Sequence, residues 1–431
     1  MLYNPNSELT PDMTLFPNLT DAIKHTSTEF GSFYMKGLVG SPTTDIPTLR
    51  HRQALIQNLS SSGVDDQIFS LLNTREVREG ERHLLRMWSP KNDLPSAITS
   101  MFYRSHERVN RIANSSPLAL EVGIDCDHVE QVVFTGARVV SVAAAFLDGA
   151  CRIIRGTAPA PVTALTNNLI GFNGPGFAIA LLIPSALVRI PTTLTASLNC
   201  VNLKAQCDWT RVSLYADIVL HKKLLLVASY YRAMKNIYEK LVRHPELTQH
   251  LSHFQKLNDF FHNERLALMF RILESRTFDG EAGWFFRRGN VYYVLGQLCK
   301  EEVRNLFAPA LIAMGEIDTF VAAAKLMKEF REKRVTFCFP QYLEGKHSPE
   351  LIAKNFWNVL INPETVEANS VSFVESSPVR CHIITGPYAD GKTTVLRSIA
   401  EAIIFGQSLG FAPAAELAFT PFSVSVNATH L

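Results

Sequence analysis

The chain has 431 residues, with 42 Lys and Arg against 40 Asp and Glu, a net charge of +2. That near balance excludes a protein coated by polyanions, so any nucleic-acid contact has to come from a local surface. Only 19% of residues are charged and 27 are Phe, an apolar balance with room for two or three domains and a sizeable core. Cys126, Cys151, Cys200, Cys207, Cys299, Cys338 and Cys381 contain no C-x-x-C pair. They read as reduced core thiols of a cytoplasmic protein, not as a disulfide framework or a metal site. The opening Met1-Leu-Tyr-Asn-Pro-Asn6 lacks a basic region followed by an apolar run, so no secretory signal is read there.

Residues 1–17 are polar and contain Pro, and read as a disordered tail. Thr20 or Asp21 is the expected cap of a helix running toward Lys36. Pro42 and Pro47 bracket a turn at Thr43-Thr-Asp45, and helical spacing resumes from Leu49 to Leu59. The rest of 18–130 reads as helix. Glu76, Arg78, Glu79, Glu81 and Arg82 are expected on a solvated face. Arg104, Arg108 and Arg111 fall near helical spacing, where surface arginines paired with acids are a plainer reading than a DNA-facing row. Composition changes over 131–204, and 156–188 carries no charge. Pro159, Pro161, Pro175 and Pro184 interrupt it, and its cleanest apolar run, Phe177–Val188, is short of the roughly 20 residues a spanning helix needs. A buried or partner-facing helical pair is favoured, with a membrane hairpin as the alternative. Over 205–333 helical periodicity returns. Lys222, Lys223, Arg232, Lys235, Lys240 and Arg243 alternate there with Tyr230, Tyr231 and Tyr238. A basic face over tyrosines packed inward is favoured above a phosphate-contacting arm.

The motif with the most chemistry is Gly386-x-x-x-x-Gly391-Lys392-Thr393, a complete P-loop pattern. Cys381–Thr385 before it reads as a buried strand. After it, Val395, Leu396, Ile399, Ala400, Ile403 and Ile404 have helical spacing. Strand, glycine turn and helix N-terminus together form an anion cradle. The expected ATP contacts are Gly386, Pro387, Tyr388, Ala389, Asp390, Gly391, Lys392, Thr393 and Thr394. Lys392 would reach the outer phosphates, and the Thr393 hydroxyl would hold Mg²⁺.

The residues around this loop, Thr385-Gly-Pro-Tyr-Ala-Asp-Gly-Lys-Thr-Thr-Val-Leu-Arg397, then Gly406-Gln407 and Gly410-Phe-Ala-Pro-Ala414, resemble the nucleotide-binding segment of the MutS family of DNA mismatch-repair ATPases. Glu367-Ala-Asn-Ser-Val371 is similar to the segment before that family's P-loop strand. Thr28-Glu-Phe-Gly31, Pro42-Thr-Thr-Asp45 and Arg52-Gln53 match, in order, the start of its lever domain. Gly315–Leu326 resembles the last lever helix, which would make Arg334–Pro340 the first strand of the ATPase domain. The resemblance implies a mainly α, lever-type helical core followed by a partial α/β P-loop NTPase domain. It divides the chain into 1–17, 18–130, an apolar insertion at 131–204, 205–333 and the partial ATPase domain at 334–431. It further implies ATP and Mg²⁺ as cofactors, double-stranded DNA as partner and a homodimer, or a missing C-terminal part of the ATPase.

The departures from the family are specific. The mismatch-reading domain with its wedge is not found, which puts mismatch recognition in doubt. Tyr388, Ala389 and Asp390 replace Asn, Met and Gly, and the Asp390 charge opposes phosphate. Val366 stands where the family has an aromatic against adenine, and Lys354-Asn-Phe-Trp-Asn358 replaces its Arg-His-Pro. After Thr394 the acids are Glu401 and Glu416, and neither follows an apolar strand, so no Walker B carboxylate is read and hydrolysis is expected to be negligible. The rival expectation is a non-enzymatic scaffold with a vestigial P-loop, in contact with a membrane through 156–188. A small-molecule P-loop kinase would need a lid and an acidic metal ligand, and neither is seen.

Overall fold

The computed structural model describes residues 26–88, 116–121, 218–280, 287–345, 348–375, 383–385 and 391–422. The expected tail, Thr20, Asp21, the Arg104–Arg111 row, the insertion at 131–204, Cys381 and Gly386–Asp390 lie outside them. Described helices are α1 (Glu29–Gly40), α2 (Ile46–Ser62), α3 (Val64–Leu72), α4 (Arg75–Met87), α5 (Pro245–Thr248), α6 (Phe254–Phe261), α7 (Ala267–Leu273), α8 (Arg288–Leu298), α9 (Glu301–Glu329) and α10 (Lys392–Ser408). The strands are β1 (Gln341–Tyr342), β2 (Leu351–Phe356), β3 (Asn369–Phe373) and β4 (Glu416–Phe419). The chain is thus mainly helical with one small mixed sheet. It divides into two compact units. The first joins Met1–Asn92, Leu226–Arg271 and Cys299–Leu431, and the second joins Asp93–Leu225 and Ile272–Leu298.

In the first unit α9 is the hub. Its segment from Ala313 to Ala324 is buried on every side, the pattern of a helix surrounded by others. α1, α2, α3 and α6 all pack on it. Two glycines set the α1–α9 crossing. A Cβ on Gly31 would lie 2.0 Å from Asp318 Oδ2, and one on Gly315 would lie 2.6 Å from the Phe30 carbonyl oxygen. Without side chains the backbones approach closely enough for Thr319 Oγ1 to donate to the Gly31 carbonyl at 3.0 Å. α3 is tied to the same hub by Lys328, which meets the buried Asp65 at 2.6 Å.

The start of α1 follows from its capping chemistry. Thr28 is extended, and its hydroxyl accepts from the Gly31 N–H at 2.9 Å. The helix therefore begins at Glu29, later than the expected cap at Thr20 or Asp21. Two buried carboxylates from other helices complete the end. Asp318 accepts from the backbone N–H of Ser27 and Thr28 and from the Thr28 hydroxyl. Glu81 of α4 accepts from the Glu29 and Phe30 N–H groups at 2.7 and 3.1 Å. This corrects the expectation of a solvated Glu81: it is fully buried because four orphan N–H groups at a helix start need acceptors and carry partial positive charge. Its neighbours Glu76, Arg78 and Arg82 are exposed as expected. Asp45 caps α2 through the Thr48 N–H at 3.1 Å, with Pro47 in the first turn, and Gly63 ends it in the left-handed conformation at φ 69°.

The sheet runs β1-β4-β2-β3. β1 is parallel to β4, and β2 is antiparallel to both β4 and β3. α10 covers it through Ala402, with Val395, Ile399 and Ile403 against Leu351, Ala353, Leu417 and Phe419. The strand expected at Arg334–Pro340 reduces to a bridge between Cys338 and Ala412. The reason lies in its side chains and neighbours. The Trp357 indole N–H occupies the Thr336 carbonyl at 2.9 Å, Phe337 turns into a ring cluster with Phe330, Trp357 and Phe411, and Pro340 has no N–H to donate.

Within the second unit, Glu121 caps α8 by accepting from the Arg288 N–H at 3.1 Å and from the Gly289 N–H. His221 stacks on Phe278, with ring centroids 5.7 Å apart, and its Nε2 meets the Thr277 carbonyl at 2.9 Å.

Candidate functional site

Of the nine expected nucleotide contacts, Gly391, Lys392, Thr393 and Thr394 are described. Gly391 takes φ 77°, a left-handed conformation that glycine adopts without penalty, and nothing crowds the position of its absent Cβ. It is the residue before α10, and its carbonyl accepts the first helical bond, from the Val395 N–H at 3.0 Å. Lys392, Thr393 and Thr394 therefore form the first turn, where backbone N–H groups precede the helical ladder and the dipole favours an anion. Thr393 is exposed and Lys392 half-buried. A turn of this kind fits phosphate oxygens and one hydroxyl contact to a metal carried by a nucleotide. Among the described residues no cluster of three His, Cys, Asp or Glu side chains forms a metal site.

The segment before the loop departs from expectation. Ile383, Ile384 and Thr385 form no strand and are exposed, Ile383 at 83%. The four-stranded sheet does not include them, so their side chains have no layer to pack against.

The two acids after Thr394 hold structural positions. Glu401 is buried on α10 and accepts from Asn358 Nδ2 at 3.1 Å and from the Val359 N–H at 3.3 Å. Burial pushes its carboxyl up to about 7, against the pull of those hydrogen bonds. Asn358 also accepts from the Leu360 N–H at 2.9 Å, so Lys354–Asn358 leads into a loop fastened to α10. Glu416 opens β4 at the surface, 2.6 Å from Lys354. Val366 is buried, and its N–H donates to the Asn362 carbonyl.

The far end of α10 is fastened to the helical hub. Gln407 is fully buried and bridges two segments. Its Nε2 donates to the Thr43 and Phe422 carbonyls at 3.2 and 2.8 Å, and its Oε1 accepts from the Phe422 N–H at 3.0 Å. Arg52 of α2 donates to the Ser408 carbonyl, and Gln53 donates to the Pro340 carbonyl at 2.8 Å. Sequence reading named Arg52, Gln53 and Gln407 as parts of a resemblance. Their bonds across more than 280 residues of sequence were not visible in it.

The tyrosines expected beside the basic residues of 205–333 turn inward. Tyr230 and Tyr231 are buried, Tyr231 stacks on Phe270 at 4.9 Å, and Tyr238 stacks on Phe261 at 4.8 Å while its hydroxyl donates to Asn258. Tyr230 and Tyr231 are core, as favoured, while Tyr238 is half-buried against Phe254 and Phe261. Cys338 is half-buried, with its thiol pushed up to about 12 by burial, whereas Cys299 is exposed and is not the core thiol expected. Among the described helices α9 alone is long and apolar enough to cross a membrane, and 78% of its apolar window is buried inside the protein. The chain matches no protein-family model and no curated relative.

Proposed function

We propose that this chain is a MutS-like nucleotide-binding protein in which a P-loop holds ATP and Mg²⁺ at one end of a helical arm. The observation that carries the reading is the start of α10, where a left-handed Gly391 delivers Lys392 and Thr393 to the first turn of a 17-residue helix. That arrangement places the first-turn backbone N–H groups at the helix start with a lysine in the same turn, the parts that a polyphosphate tail requires. In this reading Gly386–Asp390 complete the cradle, Lys392 neutralises the outer phosphates and Thr393 lends its hydroxyl to the metal. The helical arm contacts double-stranded DNA, and the protein acts in the cytoplasm as a homodimer. Of the two acids after Thr394, Glu401 is committed to a loop and Glu416 to Lys354, so neither is available to orient a water. Slow or absent turnover follows.

The test is binding of a fluorescent ATP analogue to the purified chain. Lys392→Ala is expected to weaken binding at least tenfold, about 1.4 kcal/mol. Equal binding by both proteins, or none by either, refutes the reading. The second reading, a scaffold with a vestigial P-loop, is favoured by one observation: Ile383 and Ile384 stand exposed outside the sheet. Recovery in a membrane pellet released by detergent but not by salt supports it, whereas salt-sensitive retention on DNA supports the first.

A further inference from the structure

A cavity of about 200 Å³ lies in the first unit, between the start of α2, the turn after α5, and α9. Arg52, His51, His250, Ser252 and Glu316 are among its walls. None of the functional reasoning above uses this space.

Its polar chemistry is that of a donor site. The His250 and His51 rings meet edge to face, with centroids 5.1 Å apart. The amide nitrogen of Gln249 lies 3.2 Å from His250 Nε2. An amide N–H can only donate, so Nε2 is the acceptor and the ring proton of neutral His250 sits on Nδ1. That Nδ1 is buried and has no hydrogen-bond partner among the described residues. It is therefore a buried donor lacking an acceptor, which calls for an anion or a carbonyl. Arg52 makes one hydrogen bond among the described residues, to the Ser408 carbonyl, out of five donors.

The charge of the acid in the wall opposes an anion, but its oxygens are engaged by other donors. Both Glu316 oxygens are taken by the Ser252 and His253 N–H groups at 2.9 and 2.8 Å, by His253 Nδ1 at 3.1 Å and by the Tyr34 hydroxyl at 3.3 Å. Asp45, the other acid that bears on Arg52, is engaged in capping α2. The cavity is smaller than the several hundred cubic ångströms usual for metabolite sites, so a compact ligand is indicated.

We propose that this cavity binds a small oxyanion of the sulfate–phosphate class, gripped by Arg52 and by the imidazoles of His250 and His51. Binding is then linked to protonation. In the free protein, burial and the neighbouring His51 hold His250 below the usual imidazole range. The titratable and charged groups bearing on the site are Arg52, His51, His250, His253, Glu316, Tyr34 and Asp45. A bound dianion favours His250 carrying a second proton, so affinity rises as pH falls.

Sulfate is the right probe, because its charge is constant over the range in which histidine titrates. It is measured calorimetrically on the 431-residue Lys392→Ala chain, which weakens any contribution from the start of α10, and the difference made by His250→Ala assigns the binding to the cavity. The expected result is binding about three- to fivefold tighter near pH 6 than near pH 8, because a one-unit rise in the His250 pKa reaches its full tenfold only at a pH below the lowered value of the free protein. His250→Ala abolishes most of that dependence. Arg52→Lys weakens binding at both pH values with an unchanged far-UV circular dichroism spectrum. The ring resonances of His250 shift on sulfate addition. Inorganic phosphate and phenyl phosphate, compared at one pH, distinguish a free ion from the end of a larger phosphoester. Sulfate affinity that is undetectable, or that His250→Ala leaves unchanged, overturns the proposal. Failure here leaves the P-loop reading intact, since that reading is tested by nucleotide binding and none of the cavity residues lies in the loop.

Discussion

Glu81→Gln isolates the energetic cost of placing a charge under the start of α1. Glu81 is fully buried, and burial pushes its carboxyl from the ordinary glutamate value of 4.5 to about 7, with the Glu29 and Phe30 N–H groups opposing. The folded protein thus holds this proton more tightly than the unfolded chain does. Its contribution to stability is fully present below about pH 4.5 and is lost as pH rises through about 7. At about 1.4 kcal/mol for each tenfold in proton affinity, the loss amounts to about 3 kcal/mol. Glutamine removes the titration and, like the protonated carboxyl it replaces, offers one carbonyl oxygen to the two N–H groups, so it costs little wherever Glu81 is protonated in the fold.

The linkage then sets the pH pattern. Near pH 5 the folded carboxyl is protonated and the two proteins are close in stability. By about pH 8 the wild type has lost its proton-linked share, and the variant is the more stable by about 2–3 kcal/mol. Urea unfolding followed by far-UV circular dichroism, repeated from about pH 5 to about pH 8.5, measures the difference. Glu401 titrates in both proteins and cancels in the comparison, whereas Asp318, pushed up to about 6 by burial, also raises Glu81 by its charge, so the measured difference belongs to the pair. A stability difference that stays constant across this range would show that Glu81 is ionised throughout and that the reasoning fails.

Two further substitutions probe the packing. Gly31→Ala drives a Cβ to 2.0 Å from Asp318 Oδ2 and must displace either α9 or the capping carboxylate. A loss of about 3 kcal/mol or more is expected in urea midpoints, and a loss below about 1 kcal/mol would mean that the crossing is looser than described. Gln407→Ala removes three buried hydrogen bonds between α10, Thr43 and Phe422, with an expected loss of about 2–4 kcal/mol in the same assay.

What was legible in the sequence was whatever depends on local chemistry. Pro42, Asp45 and Pro47 fix the turn and the start of α2, and the glycine before Lys392 fixes the start of α10. The inward turn of Tyr230, Tyr231 and Tyr238 follows from periodicity alone, since a helix rich in aromatics buries them before it stacks bases on them. What was not legible depends on partners far away in sequence. Glu81 sits among charges that all look solvated, and the groups it serves are 52 and 51 residues earlier. Arg334–Pro340 has strand composition, yet its carbonyl and ring partners arrive from Trp357 and Phe411 and leave one bridge. Ile383–Thr385 shows the same limit from the other side. An apolar run becomes a buried strand only where neighbouring strands pair with it, and among the described residues none does. The proposed phosphate cradle therefore has its support in the helix that follows, α10, and Ile383–Thr385 before it form no strand. For that reason the start of α10, and Lys392 within it, is where nucleotide binding has to be tested.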